Sequence, residues 1–168
     1  MAARALQALA FLVLLGACSA PKEPPSRHEP LTAGEFRALV EALAHSWETL
    51  DTEAALSPFA RDALYVQPPD VQMYVGHTQL RAYFGALKPG TYMRWHNVWF
   101  DGDTQVGAGE FTFGTHGQEN ATHGTAVIRI EDGLISSWHE YLQRGPASFE
   151  TFLSTEGKQW QWHIDNYP

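Results

Sequence analysis

The chain is almost without cysteine: Cys18 is the single one among 168 residues. That excludes an internal disulfide framework and any metal or cluster site built on several thiolates. Charge is sparse as well, at 18% of residues, and 11 Lys and Arg stand against 19 Asp and Glu for a formal net charge of −8. So acidic a balance speaks against nucleic acid or an anionic membrane surface as the main partner. The apolar run Leu6 to Leu15 falls short of the roughly 20 residues that a membrane-spanning helix requires. No HxH or HExxH pair, glycine-rich phosphate loop, dinucleotide fingerprint or serine-histidine-acid order occurs, and the eight histidines are scattered singly. Neither a metal nor a cofactor is therefore expected. What is present is apolar and aromatic material, 44% and 12% of the chain, enough for one packed domain with a short appendage.

The first segment gives the cysteine a use. Arg4 followed by Leu6 to Leu15 reads as a signal peptide. The run ends in Leu15-Gly16-Ala17-Cys18, which resembles the bacterial lipobox. The resemblance implies diacylglyceryl transfer to the Cys18 thiol, cleavage before it and acylation of the new amine. Several acyl chains anchor a protein stably where one does not. An ordinary secretory signal with an incidental cysteine is the alternative. Ser19 in place of an aspartate resembles a Gram-negative outer-membrane sorting signal. The expected location is the bacterial cell envelope, on the periplasmic face of the outer membrane in a Gram-negative cell, with the lipid anchor as the sole membrane contact. Residues 1–17 then form the signal, and 18–30 the lipidated cysteine with an extended tether carrying Pro21, Pro24, Pro25 and Pro30. The folded domain spans 31–143, and 144–168 form an aromatic C-terminal extension.

The domain opens on Thr32 and Glu35, spaced as a capping box. Phe36, Leu39, Val40, Leu43, Trp47 and Leu50 then recur at helical steps. A short second helix is expected over Asp51–Leu56 and a strand over Ala63–Gln67. A third helix is expected after Gly76-His77-Thr78, carrying Leu80, Tyr83, Phe84 and Leu87. Period-two alternation predicts strands at Tyr92–Phe100, Thr104–Phe113, Thr122–Ile130 and Leu134–Gln143, with turns at Asp101-Gly102, Gly114 to Gly117 and Asp132-Gly133. Helices first and a meander last is an α+β pattern.

The segments Trp47-Glu48-Thr49-Leu50-Asp51, Phe59-Ala60-Arg61-Asp62-Ala63, Gly76-His77-Thr78-Gln79-Leu80-Arg81-Ala82-Tyr83-Phe84 and Trp138-His139-Glu140-Tyr141 resemble, in order and spacing, the SnoaL-like branch of the nuclear transport factor 2-like superfamily. That resemblance implies a cone-shaped α+β barrel, three N-terminal helices packed on a curved antiparallel sheet around a pocket. Its members include isomerases, cyclases, dehydratases, epoxide hydrolases and proteins without chemistry, so fold alone does not deliver function.

Strand pleating nominates the pocket residues. With a type I turn and glycine bulge at Glu131-Asp132-Gly133, Ile130 faces Leu134. Gly124, Ala126, Ile128, Ile130, Leu134, Ser136, Trp138, Glu140 and Leu142 then share the apolar face. Glu140 is a carboxylate in that row, a candidate catalytic acid/base whose pKa burial would raise. Glu140-Tyr141 resembles a catalytic glutamate and following aromatic residue of phenazine-biosynthesis members. The competing account is a glutamate bonded to its neighbours for structure. Trp47, Tyr65, Gln67, His77, Trp95, Glu110 and Trp138 complete the candidate pocket. Trp95 and Trp99 share strand parity and would form a stacking wall, and Glu110 lies on the glycine-rich Val106–Glu110 strand. Ketosteroid isomerase chemistry is disfavoured, because Gln67 stands where that family places its base and Leu43 where it places a tyrosine. The C-terminal aromatics are expected to cover the open end of the cone or a homodimer surface. Two functions remain: an anchored binding module for a small apolar or aromatic molecule, and a cofactor-free isomerase, cyclase or dehydratase working through Glu140.

Overall fold

The structure is a computed structural model and describes residues 29–67 and 72–158. The expectations for Cys18 and its tether, and for Trp160, Trp162, His163 and Tyr167, lie outside the described residues.

Helix α1, Ala33–Glu48, starts on the capping box: the Thr32 hydroxyl accepts from the Glu35 amide, and Glu35 accepts from the Thr32 amide at 2.8 Å. Its buried stripe is Phe36, Val40, Leu43, Ala44 and Trp47. Leu50 leaves the stripe, because it follows the helix in the left-handed region at φ 59° and is exposed. Asp51 caps α2, Thr52–Leu56, by accepting from the Ala54 amide at 3.0 Å. Strand β1, Phe59–Val66, β2, Met73–Val75, and α3, Gly76–Phe84, precede the meander β3, Thr91–Asp101, β4, Val106–Thr115, β5, Asn120–Glu131, and β6, Leu134–Pro146. A short α4, Phe149–Leu153, follows. No helix among the described residues is long and apolar enough to cross a membrane.

The strands form one curved six-stranded sheet in the order β2-β1-β6-β5-β4-β3. It is mixed rather than antiparallel throughout, for β1 pairs with β6 in parallel. Residues 67–133, more than half of the domain, lie between these two strands, so no hairpin dictates their direction. Helix α1 lies across β3 and α3 across β1, enclosing a core that includes Phe36, Phe59, Leu80, Ile128 and Trp138. The glycine-rich stretch of β4 admits the helix: a Cβ on Gly107 would lie 2.1 Å from the Phe36 ring.

Two single-residue bulges set the faces of the sheet. In β3, Trp95 pairs with Phe111 and Asn97 with Glu110, leaving His96 as the extra residue. A one-residue insertion reverses the parity beyond it. Met93 and Trp95 therefore turn inward, whereas Trp99 is 56% exposed, and the shared tryptophan wall does not form. In the last hairpin, Asp132 and Gly133 both have positive φ, 49° and 77°, and Glu131 pairs with Leu134. This is a two-residue turn of the primed class instead of the expected bulged one. It buries Ile135 and exposes Leu134. Ser136 is then the extra residue between the Arg129–Ser137 and Ile130–Ile135 pairs, and it returns Trp138, Glu140 and Leu142 to the inner side.

Helix α4 docks on the opposite face. Phe152 stacks on His123 at 4.0 Å and Phe149 on His96 at 3.7 Å. The Thr112 hydroxyl bridges the two histidines, 2.7 Å from His96 Nε2 and 2.9 Å from His123 Nδ1.

Candidate functional site

A cavity of about 150 Å³ lies between the helices and the inner face of the sheet. Helix α1 contributes Trp47. The end of β1 contributes Tyr65 and Gln67, and α3 with its C-terminal turn gives Tyr83, Phe84 and Leu87. The sheet supplies Phe111 and Phe113 from β4, Thr122 from β5, and Glu140 and Leu142 from β6. Leu142 is partly exposed, whereas Tyr65 and Phe84 are buried.

Glu140 is the only charged residue of this lining among the described residues and is 5% exposed. Its Oε2 accepts from the Tyr65 hydroxyl at 3.0 Å and from Trp138 Nε1 at 2.9 Å, and its Oε1 accepts from Gln67 Nε2 at 3.1 Å. Burial pushes the carboxyl above the usual glutamate range, and the bonds from Trp138, Gln67 and Tyr65 oppose that push. Burial, then the nearby Glu140 charge, drives the Tyr65 hydroxyl well above its ordinary range. Tyr83 is raised by the same two causes in the same order. Both phenols thus stay protonated and can donate. Tyr65 is also fixed by its ring, stacked on Trp138 at 5.6 Å and 7°. Trp47 Nε1 is buried and has no acceptor among the described residues.

Of the residues nominated from sequence, the fold gathers Trp47, Tyr65, Gln67 and Glu140 at the cavity, with Trp138 directly behind the carboxylate. Three others sit elsewhere. His77 donates from Nε2 to the Phe59 carbonyl at 2.9 Å, tying the start of α3 to β1. Trp95 turns inward but bonds the Val40 carbonyl at 3.0 Å, joining β3 to α1. Glu110 is on the other side of the sheet, accepting from Asn97 Nδ2 at 2.7 Å beside the α4 groove. The alternation that placed Trp138 inward also places Phe111 and Phe113, which sequence reasoning passed over. Tyr83, Phe84 and Leu87 were visible only as a helical stripe, which does not distinguish a cavity wall from a core contact. Among the described residues no three His, Cys, Asp or Glu side chains gather as a metal site.

The arrangement can hold a small molecule against aromatic faces, present it with one carboxylate, and keep that carboxylate oriented through three donors. A proton on Glu140 could also be exchanged with such a molecule, since the carboxyl is shifted towards neutrality.

Solved structures share this architecture at low identity. A protein of cystatin-like fold from Methylobium petroleophilum PM1 superposes with a TM-score of 0.62 at 14% identity, covering 83% of this chain and 99% of that one. An NTF-2 like protein from Burkholderia xenovorans LB400 gives 0.58 at 14%, covering 76% and 97%. An LEH-like epoxide hydrolase of M. tuberculosis gives 0.56 at 16%, covering 66% and 84%. These likenesses concern the fold alone. No curated protein matches the chain. The family model of the SnoaL-like domain matches residues 40–138, from within α1 to just short of Glu140. With that match spanning more than half of its length, the chain belongs to the SnoaL-like domain family and has the nuclear transport factor 2-like fold.

Proposed function

We propose that the protein is a lipid-anchored binding module of the bacterial cell envelope, holding a small apolar or aromatic molecule in the cavity between α1, α3 and the sheet. The observation that carries this reading is the aromatic-lined cavity with an oriented carboxylate at its wall. Trp47 Nε1 supports it, because an occupant with an acceptor or an aromatic face would meet that buried donor. The lipobox-like Leu15-Gly16-Ala17-Cys18 supports anchoring, with residues 18–30 as the tether and the membrane touched through the lipid alone. A homodimer is compatible with the exposed Trp99 and Tyr141 on the sheet.

The test is native mass spectrometry and solvent extraction of the full chain purified from membranes, beside Thr122→Trp, which fills the cavity. A small molecule recovered from wild type and lost from the filled variant is expected; equal recovery from both refutes the site. Cys18→Ala should move the protein from the membrane to the soluble fraction.

A second reading is a cofactor-free isomerase, cyclase or dehydratase with Glu140 as acid/base. The raised carboxyl beside the protonated Tyr65 hydroxyl favours it. Turnover abolished in Glu140→Gln with binding retained would establish it.

A further inference from the structure

The charge inside the cavity is unbalanced. Among the described residues that line it, Glu140 faces no Lys, Arg or His. Its three partners, Tyr65 O–H, Trp138 Nε1–H and Gln67 Nε2–H, are neutral donors. An indole nitrogen can only donate, so Oε2, which takes it and the tyrosine, is held as an acceptor. These dipoles orient a negative charge without cancelling it. A buried charge normally has a counter-charge, and this one has none among the described residues of the wall.

The remaining wall favours the same sign. Trp47, Tyr65, Tyr83, Phe84, Phe111 and Phe113 line the cavity, and aromatic faces carry the negative side of the ring quadrupole, which attracts cations. Tyr83 is backed by Tyr74, stacked on it at 4.4 Å, so that its ring is held in place. From the described residues Oε1 accepts one bond only, which leaves it a lone pair for a further donor. A cavity of about 150 Å³ is the size that takes a benzene molecule when its walls are apolar. The formal net charge of −8 would favour the approach of a cation and hinder an anion.

We infer that the occupant is a small organic cation: an ammonium group on an apolar body about the size of a benzene ring, with its N–H donating to Glu140 Oε1 and its carbons against the aromatic faces. This inference rests on the pocket reading above and names the chemistry of its ligand.

The experiment compares three probes of one shape on the full chain in detergent at pH 8: benzylammonium, neutral benzyl alcohol and anionic benzoate, by isothermal titration calorimetry. Benzylammonium is expected to bind at least about tenfold more tightly than benzyl alcohol, a difference well within the reach of one desolvated charge pair. Benzoate is expected not to bind. In Glu140→Gln, which keeps the side-chain shape, the preference for benzylammonium over benzyl alcohol should vanish. Equal binding of the alcohol and the ammonium, or binding of benzoate, overturns the charge assignment and leaves the pocket standing. So does a preference that survives Glu140→Gln. If none of the three binds, the pocket reading falls and this inference with it. The wild-type comparison decides the sign of charge even where the variant fails to fold.

Discussion

Replacing Glu140 separates a carboxylate kept for its charge from one kept for its hydrogen bonds. In Glu140→Gln the amide oxygen can take the place of Oε2 and retain the bonds from Tyr65 and Trp138. The new amide NH₂ then faces Gln67, whose own amide can turn to offer its oxygen. Every buried group stays paired and no charge is buried. In Glu140→Leu the Trp138 and Tyr65 donors, both almost wholly buried, lose their acceptor at about 1–3 kcal/mol each. Partial relaxation and the relief of charge burial leave an expected loss of about 2–4 kcal/mol for the leucine variant. The glutamine variant should lie within about 1 kcal/mol of wild type. The pH dependence has a definite sign. The folded carboxyl titrates above its ordinary value of 4.5, so the folded chain binds the proton more tightly than the unfolded one. Its contribution to stability is greatest below pH 4.5 and declines as pH rises through the raised folded value. Glu140→Gln should therefore gain on wild type between pH 4.5 and 8. Urea unfolding followed by tryptophan fluorescence across that range measures it. A glutamine variant as unstable as the leucine variant at pH 8, or one that loses ground as pH rises, would refute the reasoning and make the anion a structural element.

Other sites carry sharper expectations for stability alone. Gly107→Ala drives a methyl into the ring of Phe36, which is itself stacked on Phe100 at 4.5 Å. A loss of about 1–3 kcal/mol is expected in urea unfolding, and an unchanged midpoint would mean that α1 sits farther from β4. Glu48 accepts two bonds from Arg94, at 2.8 and 3.0 Å, which hold its carboxyl down at about 2. That stability is present above pH 4.5 and lost as pH falls towards 2. Since Arg94 is half exposed, Glu48→Gln should cost less than about 1 kcal/mol at neutral pH, and less still in 1 M salt, where the Debye length is about 3 Å. A cost that ignores salt would argue against an ion pair. Phe152→Ala removes the ring stacked on His123 and should release α4, seen as faster proteolysis between 147 and 158 with an intact core. Unchanged cleavage would show that Phe149 suffices.

Much of the fold was legible because it depends on local chemistry. The Thr32/Glu35 box, the stripe from Phe36 to Trp47 and the four strands of the meander each follow from capping or from a short period. The cavity carboxylate was legible for the same reason, since Glu140 alternates with Trp138 and Leu142. The losses are equally physical. An extra residue at His96 or at Ser136 is marked by no residue type, yet each reverses every side chain beyond it. Trp99, Leu134 and Ile135 were misplaced on that account. Glu110 and His77 are polar residues near the right segments, and only their register and partners show them bonded outside the cavity.

The sequence by itself determined the α+β order, the start of α1 and the inward course of β6 near its end, because these rest on periods and spacings within a few residues; the family is legible in segments whose order runs over residues 40–138. Only the tertiary structure decided that β1 lies parallel to β6, which brings Tyr65 and Gln67 to Glu140 across 75 and 73 residues of chain. It also decided that no basic side chain among the described residues lines the cavity with them. A carboxylate's environment is assembled from strands and helices distant in the chain, and no local pattern records who its neighbours are.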